Sequence, residues 1–345
     1  MDIDEVRTFL AIAETGGFTR AGQRLHRSQP AISRRIELLE HGLGVPLFDR
    51  MRGRARLTEA GQAFLPHAEA ALAALKDGQD AVRALQAGPQ GTVSLALVGT
   101  LADTQIVDTL RRFARRASEV RLELRTASSA EVTDLVRRGE ATLGLRYFRS
   151  DRPDLVELAA GSESMLVVAS RDHRLAGRRR LRAARDLATE RWIGFPPTMG
   201  DRDSSGHLLA RQLARAGLDR ADLTLIDSLT AQKRLAQAGF GLALVPQSSV
   251  RDELRQGMLV ALNVPAMRSD IPITALHRRH GYLSPAAKAL LELLTRKRAS
   301  GEHGRPYDDR TKSLWITPRG AEAPWALDRL IRLRCLRNAR SHCPY

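Results

Sequence analysis

The segment FTRAGQRLHRSQPAISRRIELLE, residues 18–40, leaves few folds open to the chain. At helical spacing Ile32, Ile36 and Leu39 share one side, whereas Pro30, Ser33, Arg34 and Glu37 occupy the other side or its flank. Ser28 stands where an N-cap belongs. Pro30 then falls in the first turn, where the N–H it lacks has no intrahelical partner to lose. Upstream, Thr19 is placed to cap an earlier short helix carrying Ala21 and Leu25, and only a few residues around His26 and Arg27 separate the two. Two short helices joined by a tight turn, the second exposing Ser and Arg, form the pattern of a DNA-binding helix-turn-helix.

The flanking sequence supports that pattern. Val6, Phe9, Leu10 and Ala13 follow a helical apolar spacing that Gly16 and Gly17 close. After the second helix, a strand around Leu47 and Phe48, a turn at Gly53 and a strand ending at Thr58 predict a hairpin, the wing of a winged helix. Arg50, Arg52, Arg54 and Arg56 load it with charge suited to phosphates.

The run from FLAIAETGG through SQPAISRRI and LGVPLFDR to LTEAG resembles, without gaps over residues 1–87, the N-terminal module of LysR-type transcriptional regulators. Gly22 departs from it, standing where that family usually has alanine, at about 1 kcal/mol of helix propensity. The resemblance implies a DNA-reading set of Thr19, Ser28, Gln29, Pro30, Ser33 and Arg34, with Arg50, Arg52 and Arg54 on the backbone or minor groove. Arg34 would address guanine O6 and N7, Gln29 an adenine or phosphate, and Pro30 a thymine methyl. Arg35 lies nearer the packed face, and Glu37 and Glu40 are placed to brace the arginines.

A helical pattern runs from Thr58 to Ala87, with Leu65, Ala68, Leu72, Leu75, Gln79 and Val82 forming a heptad-like seam. Periodicity establishes burial; the resemblance assigns the seam to a partner chain, hence a homodimer or homotetramer. Pro66 bends this helix near its start, and Gly88, Pro89 and Gly91 end it.

Strands and helices then alternate: strands at residues 92–98, 120–126 and 142–147, helices at 104–116 and 130–138. A second set carries MLVVAS, RWIGF, LTLID and GLALVPQ as strands, with ITALHRR and a helix after Ser284 last. The expected architecture is an α+β multidomain chain: winged helix-turn-helix (1–58), dimerisation helix (59–90) and a two-lobed α/β effector-binding domain (91–298). That domain resembles type 2 periplasmic binding proteins, with lobe I at 91–161 and 266–298 and lobe II at 162–265. Residues 299–345 form an extension outside the resemblance, Gly- and charge-rich at first and ending in a basic amphipathic stretch.

At the carboxyl ends of such strands lies a cleft, where helix N-termini present free N–H groups. The corners VGTLADT and ASSAEV offer Thr100, Ser128 and Ser129 to an anion, Arg146 to a carboxylate, and Pro196, Pro197 and Thr198 from the opposing lobe.

Composition narrows the class further. The 345 residues, 43% hydrophobic, suffice for several cores, and a +16 formal charge with pI near 11.0 suits a polyanion. No charged-then-apolar leader and no run of about 18 apolar residues occurs, which points to the bacterial cytoplasm and away from membranes. Cys335 and Cys343 give no metal or disulfide framework, and no cofactor is expected. GxSxG, HExxH, P-loop and GxGxxG motifs are missing, and DRDSSGH only places Asp, Ser and His together in sequence, so an enzyme is not expected. The expected function is a regulator that binds promoter DNA, answers to a small anionic effector and acts on RNA polymerase. The competing readings are a solute-binding protein, opposed by the attached DNA module, and a non-catalytic regulator without a ligand.

Overall fold

The computed structural model describes residues 1–51, 54–87, 91–103, 106–150, 152–178, 180–197 and 205–296. Arg52, Thr198 and the extension 299–345 lie outside the described residues, and Arg50 enters only through its backbone.

Helices α1 (Ile3–Thr15), α2 (Phe18–Leu25) and α3 (Gln29–Leu43) precede the hairpin β1 (Phe48–Met51) and β2 (Arg54–Leu57). Asp2 and Glu5 close a capping box at the start of α1, and Gly16 ends it in the left-handed region at φ 66°. Gly17, not Thr19, is the N-cap of α2; Thr19 lies within the helix, exposed. The offset follows from Gly16, which turns the chain so sharply that Gly17 already caps α2 and the helix begins at Phe18, ahead of Thr19. Ser28 is the N-cap of α3 with Pro30 in its first turn, but its side chain makes no capping hydrogen bond.

Gly22 has a packing reason. A Cβ there would stand 2.7 Å from the Arg27 carbonyl oxygen, across a turn in which Arg27 N–H bonds to the Gly22 carbonyl at 2.9 Å. The glycine permits a tighter α2–α3 turn. Phe9 contacts the rings of Phe48 and Phe64, and Phe18 contacts Phe48, which fastens the wing and α4 (Glu59–Ala87) to the first helices. Glu40 accepts from the Leu47 and Phe48 amides at 2.7 and 3.2 Å, fixing the entry to the wing.

Next come β3 (Gly91–Val98), a 3-10 turn (Gly99–Asp103), α5 (Ile106–Arg116), β4 (Val120–Ala127), α6 (Ser129–Arg137) and β5 (Leu143–Tyr147). The long β6 (Leu155–Ser170) leads to α7 (Ala183–Asp186), β7 (Arg191–Gly194), α8 (Ser205–Arg215), β8 (Asp222–Leu225) and α9 (Leu229–Gln237). The chain continues through β9 (Leu242–Pro246), α10 (Arg251–Arg255), β10 (Leu259–Leu262), β11 (Ser269–Arg278) and α11 (Pro285–Thr295).

These strands share one hydrogen-bonded path, β4-β3-β5-β11-β6-β9-β7-β8, with β10 on β6. Parallel β3, β4 and β5 form one half, and β7, β8 and β9 the other. Antiparallel β6 and β11 join the halves, and their register slips between Ile273 and Thr274 opposite Gly161, whose φ is 126°. A bulge with such a glycine bends the ribbon there. An apolar core including Leu95, Leu145, Leu276 and Leu290 continues to Trp192 in the second half.

The α4 seam divides. Ala68 is buried and Leu65 and Leu72 pack on the head, whereas Leu75, Val82 and Leu85 are exposed in the single chain.

Candidate DNA interface and effector site

On α3, the Gln29 amide donates to the Ser33 hydroxyl at 2.9 Å, which fixes two residues of one exposed turn relative to each other. Pro30 and Arg34 are exposed on the same helix, and Arg34 pairs with no partner among the described residues. Arg35 turns inward and reaches Asp4 of α1 at 3.1 Å. On the wing, Arg54 opposes Met51 and Arg50 opposes Ala55; Arg54 is exposed. The Ala55 amide bonds to the Gly16 carbonyl at 3.0 Å, so the wing is held against the end of α1. Helix α3 and the wing strand β2 thus belong to one packed head, with Arg34 and Arg54 exposed on it.

The second site assembles around α6 and β5. Arg146 is 4% exposed; its Nε donates to the Tyr147 carbonyl at 3.1 Å and a terminal nitrogen donates to the Thr133 hydroxyl at 2.7 Å. Thr133 in turn donates to the Ser129 carbonyl, and Thr100 donates to the Tyr147 hydroxyl at 3.0 Å. Ser129 and Arg146 are thus linked through Thr133, whereas Thr100 meets the Tyr147 hydroxyl and Arg146 only the Tyr147 backbone; the sequence reading missed both Thr133 and Tyr147. Thr133 had a signal: it lies one helical turn beyond Ser129.

Among the described residues, no carboxylate pairs with Arg146. A buried cation satisfied only by neutral acceptors retains capacity for an anion, because burying unpaired charge is costly. Ser128 is engaged elsewhere. Its hydroxyl caps α6 by accepting from the Glu131 amide, and Glu131 returns to the Ser128 amide, so these bonds hold the Glu131 carboxyl below its ordinary value. That charge occupies the start of α6 and disfavours an anion at Ser128.

From the other half, Pro196 follows β7. A Cβ on Gly206 would stand 2.4 Å from the Pro196 carbonyl oxygen, so this glycine lets α8 begin directly against Pro196. Arg211 of α8 stands over the Phe148 ring, 5.7 Å from its centroid, at the end of β5. Phe148 has φ 59°, a conformation bulky residues rarely adopt, beside Arg146 and Tyr147.

A winged helix-turn-helix joined by a long helix to two α/β halves that share one sheet is the architecture of a DNA-binding regulator with an attached sensor domain. The chain belongs to the LysR family: residues 3–62 match the bacterial regulatory helix-turn-helix protein, lysR family, and residues 86–299 the LysR substrate binding domain. It is 30% identical over 318 residues to the HTH-type transcriptional regulator CbbR of Xanthobacter flavus, covering 88% of this chain and 92% of the relative. Identity to the regulator IlvR of Caulobacter vibrioides is 32% over 302 residues, covering 86% and 98%. The crystal structure of CbnR, a LysR family transcriptional regulator, superposes with TM-score 0.58 at 25% identity, covering 86% of this chain and 99% of that one. Full-length CbnR complexed with its target DNA gives TM-score 0.57 at 26% identity, with 86% and 99% covered. The protein is therefore a non-enzymatic, DNA-binding transcription regulator modulated by a small effector. No helix among the described residues is long and apolar enough to cross a membrane.

Proposed function

We propose that the protein reads a two-part promoter site as a homodimer or homotetramer in the bacterial cytoplasm, and that its effector is a small carboxylate held by Arg146. The observation that carries the ligand class is Arg146 itself, buried beside Thr133 and Tyr147 with no acidic partner among the described residues. Thr100 and Ser129 flank the carboxylate, Ser128 closes the helix beside it, and Pro196 and Thr198 border it from the other half. On the head, Thr19, Ser28, Gln29, Pro30, Ser33 and Arg34 face the major groove, and Arg50, Arg52 and Arg54 face phosphates. Ligand closure of the halves re-spaces the heads and alters contact with RNA polymerase.

The test is thermal unfolding of the full-length chain against a panel of small mono- and dicarboxylates and their amides. A carboxylate that binds the folded state raises the midpoint by linkage, its amide does not, and Arg146→Ala removes the rise. A rise that survives Arg146→Ala, or one produced by the amide equally, overturns the assignment.

A further inference from the structure

Helix α6 has two ends with different partners. Its first half holds Arg146 through Thr133, while its buried Val132, Leu135 and Val136 seat it in the core. Its far end grips the linker helix and the DNA-binding head. Arg137 lies between Asp154, at 2.6 Å, and Glu69 of α4, at 3.5 Å. Arg138 lies between Glu140, at 2.7 Å, and Glu14 of α1, at 3.8 Å; Glu14 also pairs with Arg24 of α2. Just beyond α6, the Gly139 carbonyl accepts from Lys76 Nζ at 2.5 Å. Gly139 has φ 69°, and a Cβ there would stand 3.2 Å from the Cβ of Ala73, so α4 passes against bare backbone. Beside it, Arg278 of β11 pairs with Asp77 of α4 at 2.5 Å, both side chains 16% exposed.

We propose that α6 is the mechanical link between the effector pocket and the DNA-binding head, with Arg137, Arg138 and Arg278 as positioning residues that set the strength of coupling. The pocket end rests on the effector reading given above; the clamp end stands on its own contacts. A nine-residue helix is a rod of about 13 Å, too short to bend, so displacement at Thr133 is delivered at Arg137. Glu69 is the looser partner of Arg137, at 3.5 Å against 2.6 Å for Asp154, and burial, the largest influence on Glu69, raises its carboxyl pKa against the pull of Arg137 and Arg138. Release of Glu69, with Arg137 kept on Asp154, is the second arrangement that the proposed coupling requires.

The test uses the full-length protein, without any effector, on a duplex that the protein itself selects from a random pool. Affinity is measured for Thr133→Val, Glu69→Gln and the double variant, with amide exchange followed along residues 69–77. Each single substitution should change affinity, and the double variant should depart from the product of the two by about threefold or more. Thr133→Val should also speed exchange in α4, an element that holds none of the residues Thr133 bonds, whereas Thr133→Ser, which restores the hydroxyl, should rescue most of that change. Multiplicative effects, or unchanged exchange in α4 with Thr133→Val, overturn the link. If Thr133→Val does not fold, Arg146→Lys takes its place in the same cycle with the same two outcomes. Because no effector is added, failure of the carboxylate assignment leaves this result standing, and the reverse also holds.

Discussion

Arginines on the DNA-binding head fall into two groups by what they touch. Arg24 and Arg35 are tied to Glu14 and Asp4, while Arg34 and Arg54 are exposed with no partner among the described residues. Charges already paired within the protein have less to offer a phosphate or base. Arg34→Ala should therefore lose about 1–3 kcal/mol of discrimination between a selected and a random duplex. Arg54→Ala should weaken both alike and reduce the salt slope by about one charge, as titrations across ionic strength will report. A second residue-scale test concerns Glu163 of β6, which is buried and accepts from the Ser248 amide at 3.0 Å. Burial raises its carboxyl pKa, outweighing the Ser248 hydrogen bond and the Arg251 charge that lower it. A raised folded value means that its stabilising contribution is full below the ordinary carboxylate range and is lost as pH rises through the raised value. Glu163→Gln keeps the acceptor without the charge, so its melting point should exceed wild type near pH 8 and converge with it near pH 4. A gap that is independent of pH would assign the difference to packing instead.

At the scale of elements, the helix-turn-helix was legible because local signals agree: apolar spacing, Pro30 in the first turn of α3 and glycines at the right ends. Thr19 was misplaced as a cap because a threonine before an apolar run looks alike whether or not the preceding glycine has already turned the chain. Glu40 was expected to brace arginines; its bonds to the Leu47 and Phe48 amides depend on a return of the chain that spacing does not encode. The first half of β6, LVELAAGSE, was missed for a related reason. Its alternation is broken at the bulge, and what makes it a strand is pairing with β11, more than a hundred residues later. Around Arg146, strand and helix ends point to Thr100 and Ser129 as candidates, but the contacts of Thr133 and Tyr147 arise from tertiary packing that spacing does not encode. Gly22 offers a measurement. Alanine would gain about 1 kcal/mol of helix propensity but meets the Arg27 carbonyl, and an overpacked contact costs about 1–3 kcal/mol, so Gly22→Ala should leave the melting point unchanged or lower. A clear rise would mean that the turn relaxes freely. On α4, Leu75, Val82 and Leu85 lack cover in the single chain. Replacing Val82 and Leu85 by Asp should raise a dimer dissociation constant about a hundredfold or more, readable by sedimentation. An unchanged mass at low concentration would place the dimer contact elsewhere.

For the whole molecule, the family match ends at residue 299, which bounds the regulator's two recognised modules. Truncation after Arg298 should leave affinity for the selected duplex, oligomeric mass and any carboxylate response intact; losing one of these in a folded protein would make residues 299–345 a working part. The interleaving of β11 between β5 and β6 has a further consequence, in the order of synthesis. The apolar core of the head is complete once residue 72 has been made, but Glu14, Glu69, Lys76 and Asp77 wait for their partners Arg138, Arg137, Gly139 and Arg278, and the sheet around Arg146 lacks a central strand until residue 278. At about 5–20 residues per second, that interval is roughly ten to forty seconds. During it a nascent chain carries a packed DNA-binding head beside an unclosed sensor and an incomplete clamp, so a ribosome stalled inside the second half would present heads that no effector can govern.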